Sequence, residues 1–222
     1  MKKFVILLLV FAILGLTSCG LIDKIGGDKT ESDAASICEI ANRSKPTKIT
    51  TDVSYATKAG DALTGHYVMT TDGTDAIFEY YYEKLATPAD SIESGNSNRK
   101  ISVEGVISYK DGSYYSGDNE SWKPGTGTAF DLKFDVKEDA LKDVVLSEDQ
   151  SSLDCKVSVE DLKSFIGTDL NATGDATVSI TTNGVNLTGI VISCSTVNGE
   201  IVIRNSYTYN PQDLFPETEE DA

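Results

Sequence analysis

The 222-residue sequence predicts an α+β domain built mainly of antiparallel β-structure. From residue 47 onward apolar and polar residues alternate with period two, as in strands with one buried and one wet face. The dipeptides Asp72-Gly73, Asp111-Gly112, Asn183-Gly184 and Asn198-Gly199 punctuate this alternation. Each favours a type I′ hairpin, whose two central residues need positive φ. Ahead of the strands, Ala34, Ile37, Cys38 and Ala41 fall at i, i+3, i+4 and i+7, one apolar helix face.

Taken in chain order, the first element is a leader. Met1-Lys2-Lys3 is a short positive start, and the apolar run 4–16 is too short to span a bilayer core, which takes about 20 residues. It ends in Leu16-Thr17-Ser18-Cys19, which resembles the bacterial lipobox, in which an apolar and two small residues precede the cysteine. That resemblance covers residues 1–19. It implies removal of the signal peptide 1–18, a mature chain beginning at a lipid-modified Cys19 carrying acyl chains such as palmitate, and anchoring to a membrane after export. The location implied is the outer membrane of a two-membrane cell or the outer face of the single membrane of a one-membrane cell. Residues 19–29, with Gly26-Gly27, then read as a flexible tether.

A single β-rich domain is expected over 30–210. Thr30-Glu31-Ser32-Asp33 resembles a helix-capping start, and Pro46 ends the helix that follows. The hairpin signals join 64–70 to 75–83 and 101–110 to 113–116, and string 176–182, 185–195 and 200–209 into a meander. Phe130, Leu132, Phe134 and Val136 alternate with Asp131, Lys133 and Asp135 as in a half-buried strand. Two short helices are expected to interrupt the sheet, one over 137–146 and one introduced by Ser158 with Asp161 three residues on; a strand at 153–157 separates them. Residues 86–99 read as a polar loop, and 211–222 as an acidic, disordered tail.

Composition limits function. With 35 acidic against 19 basic residues the net charge is −16, which excludes an electrostatic nucleic-acid binder. The single histidine, His66, rules out a multi-histidine metal cluster and reads as a surface imidazole. Asp72-Gly73-Thr74-Asp75 and Asp118-Asn119-Glu120 gather oxygen ligands, but neither completes a calcium loop, so both read as solvated turns. Nucleophile-elbow, phosphate-loop and dinucleotide motifs are lacking, so neither an enzyme nor a cofactor or metal requirement is expected. Cys155 and Cys194 each share a face with apolar neighbours; in an exported chain they admit a disulfide, and two separate buried thiols fit the pattern as well. In residues 78–82 both faces of one strand carry aromatics, more than a sheet with one wet face requires, so the second face is either covered or lines a cavity.

The lipobox, the N-terminal helix, the hairpin in 105–122, the stretch 129–167 with its inserted helices and the terminal meander ending Tyr207-Thr208-Tyr209-Asn210 together resemble lipoproteins of the LolA/LppX type. The likeness is one of pattern over residues 30–210, and a lipobox departs from LolA itself, which is soluble. It implies a strongly curved sheet, an incomplete barrel whose concave side is covered by the helices and holds a lipid or other hydrophobic ligand. The residues placed to meet such a ligand are Ala34, Ile37, Phe78, Tyr80 and Tyr82. The alternative is a tethered cell-envelope interaction protein whose interior is filled by its own side chains.

Overall fold

A computed structural model describes residues 33–86, 100–110, 113–116, 123–126, 136–166 and 170–210. The leader, the tether, residues 30–32 of the capping start, residues 87–99 of the polar loop, the Asp111-Gly112 turn, Asp118–Glu120, the strand expected over 130–136 up to residue 135 and the acidic tail lie outside them. Helix α1 (Asp33–Arg43) comes first, followed by β1 (Lys48–Thr57), β2 (Ala62–Thr71), β3 (Ala76–Leu85), β4 (Lys100–Lys110), β5 (Ser113–Ser116) and β6 (Lys123–Thr126). Then come β7 (Leu141–Leu146), β8 (Ser152–Val157), α2 (Val159–Ile166), β9 (Ala176–Thr182), β10 (Leu187–Thr196) and β11 (Gly199–Thr208).

The strands form one eleven-stranded sheet in the order β6-β5-β4-β3-β2-β1-β11-β10-β9-β8-β7. All the ladders are antiparallel and nearly all join sequence neighbours; the exception is the long β1–β11 ladder, in which Lys48 faces Thr208 and Thr57 faces Gly199. Two local meanders are thus zipped together along their first and last strands. Strand alternation turns Ile49, Met69, Phe78, Ile203, Ile192, Val178 and Leu153 to one face, where all are buried in a single cluster. The other face carries Asp52, His66, Glu79, Glu104 and Arg204 to water. An open sheet this wide curls, and its concave side is the core.

Helix α1 lies on β7, β8 and β9, with Ala34, Ile37, Cys38 and Ala41 all buried as their spacing predicts. Its far end is fixed by polar contacts. Asn42 Nδ2 donates to the Val136 carbonyl at 2.9 Å while Val136 N–H donates to Asn42 Oδ1 at 2.6 Å. Ser44 Oγ donates to Ile40 O and accepts from Leu187 N–H. Helix α2 starts on Ser158, whose hydroxyl accepts from Asp161 N–H, the cap its sequence predicts.

The helix expected over 137–146 is not formed. A single 3-10 turn at Glu138–Ala140 leads into strand β7, in which Leu141 pairs with Val157 and Leu146 with Leu153. The β-branched pair Val144-Val145 favours the strand, and a bulge with Asp143 at φ 51° takes up the irregular spacing. The sheet therefore gains an edge strand in place of one of the two inserted helices. The three hairpins whose turns are described stand, but not as type I′ turns: neither Asp72, Asn183, Asn198 nor Gly199 has positive φ. Asp72–Asp75 and Asn183–Asn186 are four-residue loops in which the first side chain accepts two backbone N–H bonds and glycine alone turns left-handed. Asp72 thus spends one carboxylate oxygen, Oδ1, on its own turn, in agreement with a turn reading for that acidic run.

Candidate functional site

A cavity of about 200 Å³ opens on the concave face. It lies at the end of the sheet marked by the β1–β2 and β10–β11 turns, whereas α1 is tied to the opposite end through Leu187. Its floor follows from the registers. Val53, Tyr55, Leu63, Gly65, Tyr67, Tyr82 and Ile201 all point inward, with Tyr55 opposite both Leu63 and Ile201, and Gly65 opposite both Val53 and Tyr82. Its roof is the segment at Leu170 and Asn171, held over the sheet by an antiparallel bridge from Ala172 to Thr196 and by Thr173 N–H donating to Ser195 O. Asn171 adopts φ 53°, a left-handed conformation that asparagine tolerates better than most residues.

The lining is apolar with a polar rim. Thr64 donates to Glu83 Oε2 from both its N–H and its hydroxyl, each at 2.9 Å. Those bonds, led by the hydroxyl, hold the Glu83 carboxyl below the usual carboxylate range, with the Lys100 ammonium 3.9 Å from its other oxygen. Three tyrosines stack along one wall: Tyr67 to Tyr82 with centroids 6.5 Å apart, and Tyr82 to Tyr80 at 6.2 Å. Burial first, and Tyr82 second, raises the phenol pKa of both Tyr67 and Tyr80, so these rings stay neutral at any physiological pH.

The predicted ligand residues divide. Ala34, Ile37 and Phe78 are buried in the hydrophobic cluster and do not line this cavity. Tyr82 lines the cavity, and Tyr80 borders it through its stack on Tyr82. Tyr81, between them, faces outward and hydrogen-bonds Ser102. The cavity is therefore not the face beneath α1, and the sequence reading missed Val53, Tyr55, Leu63, Tyr67 and Ile201. The signal that marks the place is Gly65, a glycine inside an alternating strand, which denotes a close approach.

Cys155 and Cys194 carry free thiols. Both face inward, but β9 runs between β8 and β10, with Cys155 beside Val178 and Val178 beside Ile192. Two strand spacings, about 9.6 Å, exceed the roughly 7 Å Cα limit for a disulfide, so this pairing is corrected to two separate buried thiols. Burial, reinforced by Cys38 and Asp154, pushes the Cys155 thiol up to about 12. His66 lies on the outer face, its Nδ1 2.7 Å from Asp52 Oδ1, remote in direction from the cavity. No group of three or more metal-ligating side chains occurs among the described residues, and no described helix is long and apolar enough to cross a membrane.

No family model and no curated protein matches the chain. Among solved structures it is similar to LprF from Mycobacterium bovis, at 9% identity over 82% of this chain and 95% of that one, with a TM-score of 0.45. A LolA superfamily protein from Nitrosomonas europaea is similar at 8% identity over 87% of this chain and 99% of that one, with a TM-score of 0.34.

Proposed function

We propose that this chain is a membrane-anchored lipoprotein that holds a hydrophobic molecule on its concave face and performs no chemistry on it. The apolar cavity floored by β1, β2, β3 and β11 carries this reading: aromatic and aliphatic walls with a few rim polar groups are the usual make-up of a binding site. At about 30 Å³ per water-sized group, its 200 Å³ receives roughly six or seven methylene-sized groups, one short chain or the end of a longer one. The lipobox supports the anchor, since two acyl chains at about 0.8 kcal/mol per buried methylene suffice without electrostatic help.

Two experiments bear on it. The unacylated mature chain, residues 19–222, should bind short uncharged aliphatic ligands such as hexane, read as broadening of the ligand's NMR signals; absence of binding defeats the reading. Cys19→Ala should move the exported protein from the membrane pellet to the soluble fraction, and a variant that pellets as fully as the parent defeats the anchor. The buried cluster beneath α1, and a volume below the roughly 300 Å³ at which ligand pockets begin, favour the second reading, a tethered interaction protein without a ligand. Failure of such short ligands to bind would select it.

A further inference from the structure

Tyr67 is 3% exposed, yet its hydroxyl makes no hydrogen bond with any described residue. Every fully enclosed side-chain oxygen and nitrogen among the described residues has a partner, so this hydroxyl must reach open volume. Its position identifies that volume. The Tyr67 ring lies back along β2 over Gly65: a Cβ added at Gly65 would sit 2.8 Å from Tyr67 Cε2 and 2.9 Å from its hydroxyl oxygen. Gly65 and Tyr67 both line the cavity, so the bare glycine is the cradle that aims a buried phenol O–H into it.

A phenol O–H in an apolar pocket is a donor without an acceptor, and leaving it unmatched costs on the order of 1–3 kcal/mol. We infer that the Tyr67 hydroxyl is the polar anchor of the cavity, donating to an uncharged carbonyl oxygen (ester, amide or ketone) on a ligand whose aliphatic part fills the remaining volume. This inference rests on the hydrophobic-ligand reading above. An anionic head group is disfavoured: none of the described lining residues is a cation, and the Glu83 carboxylate stands at the rim. Tyr67 cannot itself ionise to repel or recruit charge, because burial holds its proton on. What it selects is therefore an acceptor and not a charge.

The test uses the unacylated mature chain, which contains every described element, and two probes sized to the cavity, 2-hexanone and hexane. Tyr67→Phe keeps the ring over Gly65 and removes only the donor. The expected result is a roughly three- to tenfold weaker affinity for 2-hexanone, the range one hydrogen bond gives, with hexane affinity unchanged. The ketone carbonyl stretch should shift to lower wavenumber when bound to the parent and not when bound to Tyr67→Phe. Unchanged hexane binding also reports that the variant has folded. An equal loss for both probes, or no loss for the ketone, overturns the inference while leaving hydrophobic binding in place. If neither probe binds the parent, the hydrophobic-ligand reading and this inference fall together.

Discussion

Ile37→Asp should lower stability by about 4 kcal/mol or more, the sum of a lost buried aliphatic and an unpaired buried charge. Ile37 is 1% exposed at the centre of the α1 face that meets β7, β8 and β9. Its buried helix neighbours Ala34, Cys38 and Ala41 offer the new carboxylate no cation. Against total stabilities of about 5–15 kcal/mol, much of the margin disappears, and for a chain of this size the melting midpoint should fall by about 8–16 °C. Glu39→Ala is the control on the same helix: Glu39 is exposed and its ion pair with Arg43 spans 4.0 Å. Exposed pairs of this kind contribute at most about 1 kcal/mol. An unchanged midpoint for Ile37→Asp would mean that α1 is part of the tether and not of the core.

What the sequence shows of this molecule follows from how local each signal is. The α1 stripe, the cap at Ser158 and the hairpin strands are legible because period and turn chemistry act over a few residues, and most ladders join sequence neighbours. Residues 137–146 are not legible in the same way, because what decides the segment is pairing with β8 across a bulge. The cavity is the least legible part. Its lining comes from β1, β2, β3, β11, the Leu170–Asn171 segment and the β10–β11 turn, separated by up to about 150 residues of chain. Residues 78–82 show the same limit: Phe78, Tyr80 and Tyr82 share one face, yet Phe78 lies in the buried cluster and Tyr82 lines the cavity. Alternation specifies a face but not what lies over it.

Gly199→Ala should also be strongly destabilising, for a reason different from the one its Asn-Gly context suggests. The turn between β10 and β11 is Val197-Asn198, and Gly199 is already paired, opposite Thr57. A Cβ there would lie 2.0 Å from the Ala56 carbonyl oxygen and 2.9 Å from its carbon. Those are backbone atoms of β1 and cannot rotate aside, so the ladder joining the two meanders must open locally. Overpacking of this kind costs up to about 3 kcal/mol, or a fall of about 6–12 °C in melting midpoint. The site should suffer with the fold, because Thr196, Val197 and Asn198 line the cavity, Thr196 Oγ1 donates to Gly199 O, and Lys58 N–H donates to Asn198 O. Hexane affinity should drop even at temperatures where the variant remains folded. Gly174→Ala is the matched control: nothing lies within 4 Å of its added Cβ, and lower unfolded-state entropy makes it neutral or stabilising by less than about 1 kcal/mol. Equal midpoints for the two variants would show that β1 and β11 are not held as closely at Ala56 as this register requires.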